Sequence, residues 1–223
     1  MKTKNYQSLY RRAFATLGTK LTAQDRTPHE KIVRAEKKLG LRLPKALRDY
    51  YLIAGRERFL NQAHNHLCAP SEWETHAGKV IFMAENQCAV VWAVAASSKL
   101  VDDPAVYQGP MTDGEPSGWF LEQRKCSAFM VFMLHLQSAF GGGMACTASA
   151  PASKSLMKTL DTNWRFAGEV NGMRAYSRDG QGVCFAKWQD FLAEGKETWR
   201  VFAGACAKDG LEAIATDLDL HWD

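Results

Sequence analysis

Two short helices with well-marked ends constrain the fold of this chain more than any other feature. The first lies in TPHEKIVRAEKKLG, where Pro28 takes the first helical position and Gly40 follows the last apolar residue. The second lies in LPKALRDYYLIAG, where Pro44 begins the helix and Gly55 ends it. Proline is favoured at the first position of a helix, and glycine is favoured just after its last turn. The sequence therefore predicts two consecutive helices joined by a very short extended link.

Capping residues and periodicity support these helices and add another before them. Thr27 and Glu30 have the spacing of a capping box, in which the two side chains bond to free N–H groups at the start of a helix. Residues 6–17 place apolar side chains at helical spacing, and Gly18 follows as a left-handed stop. The chain is thus expected to begin with three helices.

Beyond about residue 66 the hydrophobic period becomes that of strands. HLCAP, KVIFMA and AVVWAVA are rich in β-branched and aromatic residues, and GWFLE predicts a shorter strand. An apolar helix over about 127–140 is then expected to cover one face of the sheet. This order predicts an α+β domain with a central mixed or antiparallel sheet packed by helices, which we place at residues 1–150.

The remaining residues, 151–223, predict a β-rich C-terminal extension. The preceding small-residue stretch GGGMACTASAPASKS is typical of a loop, and a short helical run follows it. Asn171-Gly172 and Asp179-Gly180 lie between apolar segments, which is the strongest short-range signal of a hairpin. TWRVFAGACA predicts a further strand, and a final helix is expected near the end of the chain. We expect this extension either to pack on the first sheet or to continue it.

Composition and charge argue against several classes of protein. The 223 residues carry 28 Lys and Arg against 24 Asp and Glu, and this surplus is mostly scattered, so the sequence does not favour nucleic-acid binding. The N-terminus lacks the apolar region of a secretory signal, and SAFMVFMLHLQSAF is shorter than the roughly 20 residues that cross a bilayer. We therefore expect a cytoplasmic protein with no membrane partner. The six cysteines contain no Cys-x-x-Cys pair and are expected to be small buried thiols.

One group of residues raises the question of metal binding. His64, His66 and Cys68 alternate, so on a strand they would project from one face, as zinc ligands do. The same alternation arises on an ordinary strand edge, and no fourth ligand is spaced to join them. We therefore expect neither a metal nor a cofactor.

A second group raises the question of catalysis. Asp102 and Asp103, with Glu85, are candidates for acid–base chemistry. However, an aspartate before a proline is also typical of a turn. The sequence contains no Gly-x-Ser-x-Gly, no Gly-Lys-Ser/Thr and no His-Glu-x-x-His motif. The sequence therefore favours a protein that is not an enzyme.

Aromatic residues suggest a recognition surface as an alternative to chemistry. Trp73, Trp92 and Trp119 would form a binding platform with Tyr107, because such side chains supply much of the energy of recognition. The apolar residues around Trp92 favour the core for that side chain. The sequence does not decide between surface and core for Trp119.

Three stretches together resemble the SUKH superfamily, which includes Knr-like cell-wall regulators of fungi and many bacterial immunity proteins. The stretches are IVRAEKKLGLRLPKALRDYYLIAG, FMAENQCAVVWAV and DDPAVY, in that order, and the resemblance covers residues 28–140. The matching positions within them are Leu39-Gly40, Leu43-Pro44, Tyr50-Tyr51, Gly55, Glu85, Asn86, Gln87, Trp92, Asp103-Pro104 and Val106.

The resemblance implies an α+β domain that binds protein partners and brings no catalytic residues. For a bacterial member, it implies an immunity protein that neutralises a toxin domain; the alternative is a regulatory or scaffolding protein of cell-wall or signalling machinery. The oligomeric state is left open. We expect the polar corner after the KVIFMA strand and the loop around the Asp-Pro pair to form one binding surface. Its predicted residues are Glu85, Asn86, Gln87, Asp102, Asp103, Tyr107 and Trp119.

Charge adds one constraint on the partner. Electrostatic complementarity steers association, so an inhibitor of a basic nuclease is expected to be acidic, whereas this chain has a net charge of +4. Either the toxin is not a basic nuclease, or a local acidic patch of Glu85, Asp102 and Asp103 binds it.

Overall fold

A computed structural model describes residues 5–96, 101–189 and 197–223. They form six α-helices and two antiparallel sheets, which confirms the predicted α+β class. No helix of these ranges is long and apolar enough to span a membrane. The helices are α1 (Tyr6–Thr16), α2 (His29–Leu39), α3 (Lys45–Ala54), α4 (Cys126–Ala139), α5 (Leu156–Asn163) and α6 (Gly210–Leu218).

The strands divide into two sheets along the chain. The first contains β1 (Asn65–Leu67), β2 (Glu74–His76), β3 (Lys79–Glu85), β4 (Val90–Ala95), β5 (Val106–Thr112), β6 (Glu115–Pro116) and β7 (Phe120–Gln123). Its order is β1-β3-β4-β5-β6, with β2 paired to β3 and β7 paired to β5. The second contains β8 (Cys146–Ala152), β9 (Arg165–Val170), β10 (Met173–Arg178), β11 (Gln181–Gln189) and β12 (Glu197–Ala205), in the order β8-β12-β11-β10-β9.

The chain forms two compact units. Unit 1 comprises Met1–Arg12 and Leu21–Met130, and unit 2 comprises Ala13–Lys20 and Val131–Asp223. The C-terminal strands form a sheet of their own and do not continue the first one. The division falls within α4, whereas the sequence suggested a boundary at residue 150.

The loop predicted for the small-residue stretch is wrong over part of its length. Residues Cys146–Ala152 form β8, which pairs with β12 in the register Val201↔Ala150. The stretch has low strand propensity by itself, and the ladder of backbone hydrogen bonds to β12 holds it as a strand. Pro151 lies within it, which an edge strand tolerates because one side of its backbone needs no donor.

The ends of α2 confirm one prediction and correct another. Gly40 takes the left-handed conformation, with φ 67°, and its N–H bonds to the Glu36 carbonyl. The helix cap, however, is Pro28, and no side chain caps it, so the predicted capping box of Thr27 and Glu30 is wrong. Thr27 is instead buried at 2 % exposure, and its hydroxyl has no hydrogen-bond partner among the described residues.

The core of unit 1 is built from aromatic side chains on its helices and sheet. Tyr10 packs edge-on against Tyr50 with ring centroids 5.0 Å apart, and its hydroxyl donates to the Ala46 carbonyl at 3.1 Å. Phe129 on α4 contacts the rings of Phe82 and Trp92, each at 5.9 Å. One face of the first sheet is therefore covered by helices.

Glycines in unit 2 allow a helix to approach the second sheet closely. A Cβ at Gly204 would lie 2.2 Å from the backbone oxygen of Ser138 on α4, and a Cβ at Gly182 would lie 2.1 Å from the Ser138 hydroxyl. A Cβ at Gly168 would lie 3.4 Å from Phe132. Helix α4 from Val131 onward therefore packs on a row of positions without side chains.

We expect Gly204→Ala to destabilise the protein by about 1–3 kcal/mol, because the added methyl group overlaps helix backbone that has no rotamer by which to move away. Urea denaturation measures the loss. The control is Gly118→Ala, where the nearest atom to the new Cβ is 3.8 Å away and near-neutral stability is expected. Equal effects of the two substitutions would contradict close packing at Gly204.

Candidate functional site

The polar corner Glu85-Asn86-Gln87 is the turn between β3 and β4. The Glu85 carboxylate accepts hydrogen bonds from the backbone N–H of Gln87 at 2.8 Å and of Ala89 at 3.3 Å. Its carbonyl accepts a bond from Cys88, which lies in the left-handed region with φ 57°. Glu85 therefore satisfies backbone donors that the turn leaves unpaired. Asn86 and Gln87 are exposed at the tip.

Oxygen atoms of the Asp102-Asp103-Pro104 segment accept hydrogen bonds from backbone N–H groups at the starts of two helices. The Asp103 carboxylate accepts bonds from the Ser127 N–H at 2.7 Å and from the Ser127 hydroxyl at 2.6 Å, at the start of α4. The Asp102 carbonyl accepts the Ala46 N–H at 2.8 Å, at the start of α3. Asp103 is thus a helix-capping group, and the turn interpretation of this segment accounts for its contacts.

The structure does not bring these two polar segments together. In the register of β4 with β5, Val90 pairs with Pro110 and Val94 pairs with Val106. The corner precedes Val90 and the Asp-Pro segment precedes Val106, so the two lie at opposite ends of the strands, at least about 13 Å apart. Consecutive hairpin connections alternate between sheet ends, which is why neighbours along the sequence are separated here. Glu85, Asp102 and Asp103 therefore form no acidic patch.

Tyr107 and Trp119 do come together, around a lysine that sequence reasoning missed. The Lys79 ammonium lies 4.6 Å from the ring centroid of Tyr107 and 5.5 Å from that of Trp119. Trp119 packs over Gly109, where a Cβ would come within 2.8 Å of its ring. A cation held over aromatic faces is attracted by their quadrupoles, so the lysine binds the two rings to each other.

His76 completes this group. Its ring centroid lies 6.2 Å from that of Trp119, and its Nε2 lies 3.8 Å from a carboxylate oxygen of the exposed Glu115. The register pairs His76 with Lys79 across a two-residue turn, in which Ala77 and Gly78 both have positive φ. Ala-Gly is a weaker hairpin signal than Asn-Gly, which is why the sequence did not predict the pairing of β2 with β3. His76, Lys79, Tyr107 and Trp119 are called the Lys79 cluster below.

Strand β7 borders the Lys79 cluster and exposes large apolar side chains. Phe120 is 60 % exposed and Leu121 is 51 % exposed. Leu121 pairs with Tyr107 in the ladder, so both project from the same face of the sheet. Among the described strands β7 pairs with β5 alone. The strand expected from GWFLE is thus confirmed, as an edge strand.

The other two tryptophans belong to the core. Trp73 is 2 % exposed, and its indole N–H donates to the Tyr51 hydroxyl at 3.0 Å. Trp92 is 5 % exposed and donates to the Glu122 carboxylate at 3.1 Å. The binding platform suggested by the sequence therefore reduces to Tyr107 and Trp119.

His64, His66 and Cys68 do not form a common site. Strand β1 covers Asn65–Leu67 only, and the His64 Nδ1 lies 3.3 Å from the Asn86 amide nitrogen. Burial raises the pKa of Cys68 to about 12, so its thiol stays protonated at neutral pH. Within residues 5–96, 101–189 and 197–223, no three His, Cys, Asp or Glu side chains are placed to hold a metal ion.

All six cysteines are free, and they differ in exposure. Cys126 and Cys184 are buried, as the sequence suggested. Burial raises the pKa of both thiols well above the ordinary value. Cys88 and Cys206 are exposed, so the expectation of buried thiols is wrong for these two. Cys88 lies in the β3–β4 turn, where a left-handed backbone turns the residue towards solvent.

Unit 2 holds a buried histidine–serine pair. The His135 Nδ1 lies 2.8 Å from the Val131 carbonyl and therefore donates to it, which leaves Nε2 to accept from the Ser177 hydroxyl at 3.0 Å. Burial, with a smaller contribution from Arg165, lowers the pKa of His135 to about 4. Ser177 has no exposed surface. The hydrogen bond to His135 therefore satisfies a polar group in the interior of unit 2.

Comparison of the chain with protein-family models, curated proteins and solved structures finds no match. The resemblance stated from the sequence is therefore an expectation. The side chains of the Lys79 cluster are half-buried, and Phe120 and Leu121 of the neighbouring edge strand are exposed, so this region is the candidate for contact with a partner.

We expect Asp103→Ala to destabilise the protein by about 1–2 kcal/mol, since two donors at the start of α4 lose their acceptor. Asp102→Ala serves as the matched control. Asp102 acts through its carbonyl, which alanine keeps, so a change below about 0.5 kcal/mol is expected. Urea unfolding compares the two, and a larger loss at position 102 would refute the capping role of Asp103.

The buried His135 predicts a pH dependence of stability. Its folded pKa of about 4 lies below the ordinary 6.5, so the unfolded chain binds a proton in this window and the folded chain does not. The unfolding free energy is therefore expected to fall by on the order of 3 kcal/mol as pH drops from 6.5 to 4. In His135→Gln this part of the slope disappears, whereas in the control His66→Gln, at an exposed position, it remains. Denaturation at a series of pH values tests this, and an unchanged slope in His135→Gln contradicts the assignment.

Proposed function

We propose that this chain is a non-enzymatic protein-binding module, and that the Lys79 cluster with edge strand β7 forms its binding surface. The observation that supports this most directly is the exposure of Leu121, which pairs with Tyr107 of that cluster and projects from the same face. Phe120, the preceding residue of β7, is exposed on the opposite face, so apolar surface is present on both sides of this strand. Exposed apolar patches on a folded protein mark interaction sites. Tyrosine and tryptophan add the rigid, amphipathic area typical of binding hot spots.

The position of β7 in the first sheet supports the same proposal. As an edge strand among the described strands, β7 is suited to pairing with an extended segment of another protein, which then adds to the sheet as a strand.

We further propose that the partner is a toxin domain, which the chain neutralises as an immunity protein does. The resemblance of residues 28–140 to the SUKH superfamily supports this. The positive net charge and the separation of Glu85 from Asp102 and Asp103 bear on the kind of toxin. Since no acidic patch forms from these residues, a toxin that is not a basic nuclease suits the chain better.

The test replaces the exposed side chains of β7. Phe120→Ser combined with Leu121→Ser is expected to weaken capture of the partner at least tenfold, because the apolar contact area is lost. The control is Phe59→Ser, which removes a side chain of 74 % exposure elsewhere in unit 1. Tagged wild type and both variants are incubated with lysate of the source organism, and retained proteins are quantified by mass spectrometry. Thermal unfolding of both variants is expected to match that of wild type, since exposed substitutions change stability by about 0.5 kcal/mol or less.

The captured partner then separates the two functions. A polypeptide whose isolated domain kills cells, and whose toxicity is suppressed by co-expression of wild type but not of the β7 variant, supports immunity. Capture of cell-wall or signalling proteins that depends on β7 supports the regulatory alternative. A partner retained equally by wild type and the β7 variant would rule out this surface.

A further inference from the structure

A groove in unit 1 lies between α2, the residues after α3 and the 3₁₀ turn Pro70–Glu72. Its volume is about 430 Å³. It is distinct from the Lys79 cluster, because no residue is common to the two. The residues that line it are Thr27, Lys31, Arg34, Ala35, Lys38, Gly55, Arg56, Ala69, Pro70 and Ser71, and they are called the basic groove below.

Four cations and no carboxylate line the basic groove. Lys31, Arg34 and Lys38 lie on one side of α2 at helical spacing, and Arg56 follows α3. All four are exposed, and none takes part in an ion pair with another described residue. Several positive charges around a concave surface raise the local concentration of anions.

The uncharged residues that line the basic groove are mostly small and apolar, and they are called its floor. Ala35, Ala69 and Pro70 supply apolar surface. Two residues carry hydroxyl groups: Ser71 is exposed, and the Thr27 hydroxyl is buried and has no hydrogen-bond partner within the described ranges. A buried hydroxyl without a partner is costly unless a ligand supplies one. The groove thus combines four exposed cations with apolar surface and a buried hydroxyl that lacks a partner.

We propose that the basic groove binds an acidic peptide segment of a partner protein. Lys31 and Lys38 are separated by about 10 Å along the helix axis, the length of about three extended residues. A row of cations of this length matches carboxylates spaced along an extended peptide better than it matches a single compact anion. The apolar floor suits an aliphatic or aromatic side chain between the carboxylates. The inference rests on the proposed function only in taking the ligand to be a protein.

The experiment uses the full chain and a synthetic peptide. The probe is a fluorescein-labelled peptide of repeating Glu-Phe-Glu units, and its matched control has Gln in place of Glu. Fluorescence anisotropy is expected to show binding of the Glu peptide that weakens as salt rises, since the charges are exposed. The Gln peptide is expected to bind at least tenfold more weakly.

Two charge-reversal variants locate the binding. Arg34→Glu with Lys38→Glu is expected to weaken binding of the Glu peptide at least tenfold. The control, Lys37→Glu with Arg42→Glu, changes the net charge by the same amount at exposed positions that line a different cleft, and it is expected to bind within about twofold of wild type. Circular dichroism confirms that each variant is folded. Should the first fail to fold, Arg34→Gln with Lys38→Gln replaces it.

The outcomes separate this inference from the proposed function. Retained peptide binding in the Phe120→Ser, Leu121→Ser variant shows that the groove acts independently of strand β7. Equal losses in the two charge-reversal variants, or no binding of the Glu peptide, overturn the inference whatever the β7 variant does. Binding of polyphosphate or single-stranded RNA at Arg34 and Lys38, with no binding of the Glu peptide, also overturns it in favour of a phosphate-bearing ligand.

Discussion

The three-residue segment Asp102-Asp103-Pro104 organises unit 1, because its oxygen atoms accept hydrogen bonds from N–H groups at the starts of two helices. The carbonyls of Asp102 and Pro104 accept bonds from α3 and α4, and the Asp103 carboxylate accepts two more from Ser127. The first turn of a helix has N–H groups with no partner inside the helix, and it carries a partial positive charge. A carboxylate held at that point satisfies both needs. The same segment leads directly into β5, so helix placement and sheet register are fixed together.

This constraint changes the meaning of the acidic residues. Exposed carboxylates in a loop suggest either chemistry or charge recognition when only the sequence is known. In the structure, the carboxylates of Glu85 and Asp103 accept hydrogen bonds from backbone N–H groups, and the two residues lie at opposite ends of the strands. The polar groups left for a partner are different ones: the Lys79 cluster, beside the exposed edge of β7, and the cations of the basic groove.

The two proposed surfaces suit a partner with two kinds of contact. The Lys79 cluster and β7 provide aromatic and apolar area, which contributes affinity once it is desolvated. The basic groove provides exposed charge, which contributes to the rate of association and to specificity. An extended acidic segment near an apolar patch of the same partner would use both. Their chemistry agrees with the modest positive charge of the chain.

Local features of the sequence determined most of the secondary structure. Pro28 and Pro44 at helix starts, Gly18 and Gly40 at helix ends, and the Asn171-Gly172 and Asp179-Gly180 hairpins depend on backbone preferences of single residues and close neighbours. Strand β8 escaped prediction because its small residues lack strand propensity and become a strand only by pairing with β12.

Only the tertiary structure decided which side chains meet. Lys79, Tyr107 and Trp119 come from separate strands and loops, and the register of the sheet brings them together. The cations of α2 are visible in the sequence, but their groove exists only because the 3₁₀ turn and the end of α3 pack beside them. Conformational preference is a local property of the chain, so the sequence reveals it; a site requires contact between distant residues, and folding alone determines that contact.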